Sequence, residues 1–191
     1  MAFAVIAFDG PDPSRRAVAR DRHIASITAM ARDGLLLLGL PLHGAGGRSR
    51  GSLMVIAARD QAGVDAYLAR EPFAAEGVWQ DIACRPLRIP ALPWRPWPPA
   101  DAPLPAGRGH TILVASGRAA PGRFAAMAGA GSLVFAAETL DAPGAILVTA
   151  HADDAAAQAW AAADPLLSAC AVALHATLFR PLPYRPLPGA G

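Results

Sequence analysis

Apolar residues open the chain as a run, Phe3-Ala4-Val5-Ile6-Ala7-Phe8, which predicts a short buried strand over residues 3–8. Gly10-Pro11-Asp12-Pro13 is turn chemistry, with Asp12 placed to cap a helix and Pro13 at its first position. From Pro13 to Asp33 the apolar positions recur at helical spacing, and Gly34 supplies a C-cap. Leu35 to Leu38 predict a second strand, residues 40–50 with Gly44, Gly46 and Gly47 a flexible loop, and Ser52 to Ala58 a third strand. Asp60 caps a second helix that runs to about Arg70 and is broken by Glu71-Pro72-Phe73, because proline disfavours helix in the residue before it. Gly77 to Arg85 carry a fourth strand, and the resulting β-α-β-β-α-β order is the ferredoxin-like arrangement.

Proline then recurs through residues 86–105, with Trp94 and Trp97 among it, and predicts a stiff extended linker. A tryptophan carries a large apolar surface, so at least one of the two is expected to pack on a domain. Beyond the linker the first half is echoed. Gly51-Ser52-Leu53-Met54-Val55-Ile56-Ala57 reappears as Gly144-Ala145-Ile146-Leu147-Val148-Thr149-Ala150, and Asp60 reappears as Asp153. Ala66-Tyr67 returns as Ala159-Trp160 and Glu71-Pro72-Phe73 as Asp164-Pro165-Leu166, all at one constant offset. Arg85-Pro86-Leu87 matches Arg180-Pro181-Leu182 after a small insertion, and Ala4-Val5-Ile6-Ala7 resembles Ile112-Leu113-Val114-Ala115. A constant offset across strand, helix and breaker reads as a tandem duplication. The second copy has lost features: residues 117–131 leave room for only a short helix, no histidine stands in it, and Ser52 has become Ala145. The expected fold is therefore α+β, with ferredoxin-like units at residues 1–89 and 108–191 joined by a Pro/Trp-rich linker at 90–107. Each sheet has an apolar face that needs a cover, so the two should pack face to face within one chain.

One helical stripe concentrates the candidate chemistry. Arg16, Arg20, His23, Ile27 and Met30 lie on one face of the first helix, cationic towards its start and apolar towards its end. His23 stands at the boundary, where a pocket would open, and a histidine can move protons near neutral pH. Arg16 and Arg20 could hold an anionic oxygen and, as neighbouring cations, would favour the neutral imidazole. The competing reading is a hydrogen-bonded, inert histidine at the core boundary. Ser52 could present its hydroxyl to the same pocket, and His43, in the glycine loop, could stand in for a missing acid or simply be solvated. His110, His151 and His175 are read as structural or solvated. No third ligand accompanies His23 and His43, so no metal is assigned.

Composition narrows the classes further. Among 191 residues the formal charge is +2, too small to imply a nucleic-acid partner. Every basic residue is arginine, so Schiff-base chemistry on lysine is excluded. Cys84 and Cys170 lack metal-type spacing and are expected as free thiols. No apolar run approaches the roughly 18 to 20 residues of a membrane span, and the N-terminus lacks a basic region before its apolar run. The expectation is a cytoplasmic protein without membrane contact. Gly44-Ala45-Gly46-Gly47-Arg48 lacks the lysine of a phosphate-binding loop and is read as a hairpin loop.

These residues together resemble the YciI-like (YCII) family. The resemblance rests on the opening strand with Asp9-Gly10 and Asp12-Pro13, on Arg20 three before His23, and on Gly34 with its leucine strand. It continues through Gly51-Ser52, Glu71-Pro72-Phe73, Gly77-Val78-Trp79 and Arg85-Pro86, and in the second half from about Gly144 to Pro183. The resemblance implies two ferredoxin-like units packed sheet to sheet as a dimeric α+β barrel, which a duplicated chain would build within itself. The molecule would then be a monomeric pseudo-dimer, or a homodimer of it. It also implies a histidine–aspartate active site with His23 as the histidine; one branch of the family resembles a dehydrochlorinase acting on chlorinated hydroxyquinols. The matching aspartate position falls on Gly44, Ala45 or Gly46, where no acid stands. Two functions follow as expectations. One is a small cofactor-independent lyase or isomerase using His23 as general acid/base on an anionic or phenolic small molecule held by Arg16, Arg20, Ser52 and His43. The other is a non-catalytic ligand-binding or scaffold protein that has lost the dyad.

Overall fold

The structure is a computed structural model that describes residues 1–44, 47–117, 123–165 and 167–190. In the first half, β1 (Ala2–Asp9) leads into α1 (Pro13–Asp33), then β2 (Leu36–His43), β3 (Ser49–Ala57), α2 (Gln61–Leu68), the short α3 (Pro72–Ala75) and β4 (Trp79–Arg88). The second half contains β5 (His110–Ser116), α4 (Arg123–Gly129), β6 (Leu133–Thr139), β7 (Gly144–Thr149), α5 (Asp154–Ala163), a 3-10 turn (Leu167–Ala169) and β8 (Ala171–Thr177). The fold is mixed α+β.

All strand pairs are antiparallel, and the strands close into a barrel in the order β1-β3-β2-β8-β5-β7-β6-β4. Each half contributes an arc of the same internal order, β4-β1-β3-β2 and β8-β5-β7-β6. The arcs meet at short seams: His43 pairs with Ala176 on one side, and Leu87 and Arg88 pair with Thr139 and Glu138 on the other. Strand alternation then divides the apolar residues. Ala2, Ala4 and Ile6 of β1 pack in one cluster with Ile112 and Leu147 of the second half. Phe3, Val5 and Ala7 pack in another with Ala19 and Ile27 of α1 and with Val64 and Tyr67 of α2.

Local chemistry explains the elements. Asp12 accepts a hydrogen bond from the Ser14 amide at 2.9 Å and opens α1; Gly34, at φ 76°, closes it. Three strands differ from the sequence reading. β2 continues through Leu40 and Leu42, both buried, to His43, so much of the expected flexible loop is strand. Pro41 turns its carbonyl to Thr177 Oγ1 (2.7 Å), while Gly39 on the same edge bonds Tyr184. The missing N–H of Pro41 therefore falls on the strand edge away from β3, where proline is tolerated. β3 likewise starts earlier, at Ser49, and β4 runs on to Arg88. Ala45 and Gly46, two of the three positions matched to the absent acid, lie outside the described residues, as do the first residues read into the short second-half helix.

The proline-rich stretch is held down by its aromatics. Trp94 is 3% exposed, donates its Nε1 hydrogen to the Pro90 carbonyl at 3.1 Å and stacks on Phe135. Trp97 stacks on Phe179, ring centroids 5.1 Å apart. The chain after β8 returns to the first half: Leu182 is buried in the cluster beneath α1, Tyr184 bonds Gly39, and Arg185 Nε donates to the Arg32 carbonyl at 3.1 Å. Among the described residues no helix is long and apolar enough to cross a membrane.

Candidate functional site

A cavity of about 670 Å³ lies between α1 and the helix-facing side of β2 and β3. β1 ends in Asp9, α1 presents Arg16, Arg20 and His23 along one face, β2 and β3 bring His43 and Ser52, and the tail after β8 adds Leu178 and Arg180. The residues singled out from the sequence thus share one cavity: Arg16, Arg20, His23, His43 and Ser52 all line it.

Their partners differ from the expectation. His23 does not depend on a neighbouring arginine. Its Nδ1 lies 2.5 Å from Oε1 of Glu71, which is 1% exposed. Glu71 also accepts the Phe73 amide hydrogen at 3.1 Å, and the Tyr67 hydroxyl donates to its other oxygen at 3.4 Å. Burial, followed by the Glu71 charge, pushes the Tyr67 phenol well up, so it stays a donor. Phe73 stacks on the imidazole with ring centroids 3.9 Å apart, and Trp79 closes its edge. These contacts fix the ring and leave Nε2 as the nitrogen with no partner among the described residues. The resemblance places a carboxylate partner for His23 in the β2–β3 loop, where this sequence has none at Gly44; in the structure the carboxylate against the ring is Glu71, at the cap of α3.

Arg16 is a clamp within the site. Its Nη1 donates to both Asp9 oxygens at 2.7 and 2.8 Å, and its Nη2 donates to Ser52 Oγ at 3.1 Å and the Gly51 carbonyl at 3.3 Å. The guanidinium also lies over the Phe73 ring, 4.5 Å from its centroid. Burial works against both charges: it raises the Asp9 carboxyl and lowers Arg16, and their mutual attraction offsets part of that cost. Ser52 is 2% exposed and its Oγ accepts from Arg16. His43 is depressed below the ordinary histidine value by burial and then by Arg16, so it lines the wall as a neutral ring.

The wall is strongly cationic. Arg16, Arg20, Arg48, Arg50 and Arg180 line it, against Asp9 as the carboxylate among the described lining residues. Arg50 Nη2 donates to His175 Nδ1 at 2.9 Å, which makes His175 a structural acceptor. Sequence reasoning missed Glu71 and Arg180. Glu71 reads as punctuation before Pro72; its echo by Asp164 before Pro165 is the one trace of a retained carboxylate. Among the described residues no group of three potential metal ligands comes together.

Residues 1–88 of the chain match the YCII-related domain. Among solved structures, the chain is similar to a 5-chloro-2-hydroxyhydroquinone dehydrochlorinase from Burkholderia phenoliruptrix AC1100, determined in complex with 2,5-dihydroxybenzoquinone. That match has 22% identity and a TM-score of 0.40, covering 45% of this chain and 92% of that one. It is also similar to an anthrone oxidase-like protein, with 12% identity and a TM-score of 0.47 over 93% of this chain and 90% of that one. A monooxygenase-type protein from Lactobacillus acidophilus NCFM matches at 12% identity and a TM-score of 0.50, over 93% of this chain and 92% of that one. At 12% identity the likeness to this last structure concerns the fold alone. No curated protein matches the sequence.

Proposed function

We propose that the chain is a small cofactor-independent enzyme of lyase or isomerase type, with His23 as general acid/base on an anionic or phenolic small molecule. The observation that carries this reading is the His23–Glu71 pair on the wall of an arginine-lined cavity. Glu71 orients the ring through Nδ1 and stabilises the imidazolium formed when Nε2 takes a proton. The guanidiniums stabilise the developing oxyanion, so elimination or isomerisation needs no further group. Charge-assisted bonds from Arg20 favour a carboxylate, enolate or phenolate ligand.

The reading includes an origin by duplication, with units at residues 1–89 and 108–191, a linker at 90–107, and one working site per chain. Its support is the constant sequence offset together with the repeated strand order of the two arcs. In the second arc Ala145 replaces Ser52, and the acid matched to Glu71, Asp164, is bonded by Arg123 at 2.8 Å.

Purified protein screened against halogenated and hydroxylated aromatic acids tests the reading. We expect turnover of at least one compound, lost in His23→Ala, with Arg20→Ala acting mainly on KM and calorimetry giving one ligand per chain. Turnover unchanged by His23→Ala, or absent across the panel, would sink it.

A further inference from the structure

We infer that the cavity selects a ligand with two anionic groups on an apolar frame, and that Arg180, delivered by the tail after β8, recognises the second group. The inference rests on the reading of this cavity as an anion-binding site and deepens it.

The tail holds Arg180 in place from both sides. Thr177 Oγ1 donates to the Pro41 carbonyl at 2.7 Å before it. After it, Leu182 is buried beneath α1, and the Tyr184 hydroxyl both accepts from the Gly39 amide at 3.1 Å and donates to the Gly39 carbonyl at 3.2 Å. Arg180 is thus a fixed part of the wall, half-buried, and it faces the same space as Arg20. Burial and the Arg20 charge both press its pKa down, as expected where two guanidiniums approach with no anion between them. Neither has a carboxylate partner among the described residues.

The other half of the molecule supplies the contrast. Arg85 precedes Pro86-Leu87 as Arg180 precedes Pro181-Leu182, yet Arg85 is neutralised by Asp141, with Nε–O distances of 3.2 and 3.1 Å. The cavity side keeps its matching arginine unneutralised. A monoanion beside His23 and Ser52 would leave Arg20 and Arg180 uncompensated; a second anionic group between them would satisfy both. Ile24, Ile27, Met54 and Leu178 line the space between and require an apolar frame. The ligand class is a dicarboxylate, or a carboxylate with a phenolate, on an aromatic or similarly apolar body.

Calorimetric titration of the full chain with benzoate, isophthalate and terephthalate at neutral pH and low salt tests this. The expected result is at least about tenfold tighter binding of one dicarboxylate than of benzoate. Arg180→Met should reduce the dicarboxylate to the benzoate level without changing benzoate itself, and Arg85→Met should change neither. Arg180→Gln repeats the test in a polar background, and the unfolding midpoint of each variant confirms a folded chain. Equal affinities in the wild type, no binding of any of the three, or a loss in Arg180→Met shared equally by benzoate would overturn the inference. The readout is binding alone. Discrimination without turnover would count against the enzyme reading only, and turnover without discrimination against this inference only.

Discussion

His23 and Glu71, 48 positions apart in sequence, meet at 2.5 Å beneath a stacked phenylalanine. The pair couples the cap of α3 to the middle of α1, so it bears on stability as well as chemistry. Removing one member of a buried pair leaves the other uncompensated. Glu71→Ala should destabilise the fold by about 3 kcal/mol, read as a shift in urea midpoint. Glu71→Gln keeps an acceptor for the Phe73 amide and should cost less.

His43, His110 and His175 give the fold a pH dependence of definite sign. Burial is the first cause depressing all three, joined by Arg16 at His43 and by Arg50 at His175. The unfolded chain protonates these rings near the ordinary value of about 6.5, while the folded chain resists. The unfolded state then binds more protons, so stability is full above that pH and falls as the pH drops below it. Asp9, raised by burial, acts in the opposite sense but only in the carboxylate range. Thermal midpoints measured at pH 7.5, 6.5 and 5.5 should decline across the last interval; a flat profile contradicts this account.

Trp94 anchors the proline-rich stretch through Phe135. Truncating a buried tryptophan costs roughly 3–5 kcal/mol, so Trp94→Ala should lower the denaturation midpoint sharply. Trp97→Ala, at a partly exposed position, should do less, and the emission of the wild type should be blue-shifted in proportion to the burial of Trp94.

Gly51 is fixed by crowding. A Cβ there would stand 2.2 Å from the Ala7 carbonyl oxygen on β1. Gly51→Ala must push β1 and β3 apart beside Ser52, at a cost of about 1–3 kcal/mol typical of overpacking. Its carbonyl also receives Arg16, so the same variant should weaken binding of an anionic ligand by calorimetry, even where the fold survives.

Local pattern carried much of this molecule. α1 occupies Pro13–Asp33 with Asp12 and Gly34 as its caps, because capping chemistry is encoded within a few residues. The stripe that put Arg16, Arg20 and His23 on one face followed from helical period alone. Glu71 and Arg180 were illegible for the same physical reason. Their roles are set by packing between elements far apart in sequence, and neither periodicity nor spacing reports that. Leu40 and Leu42 were misread because the glycines that follow them, Gly44, Gly46 and Gly47, signal a loop; what carries the strand on is pairing with β3, a tertiary fact.

The tail that walls the cavity also sets an order of events. Every other residue that lines the cavity lies within residues 9–73, whereas Leu178 and Arg180 are synthesised more than a hundred residues later. A nascent chain is therefore unable to hold a doubly charged ligand until β8 has closed the barrel and Tyr184 has reached Gly39. A protease cutting after Phe179 would take away Arg180 and the Tyr184–Gly39 contact without removing a single strand.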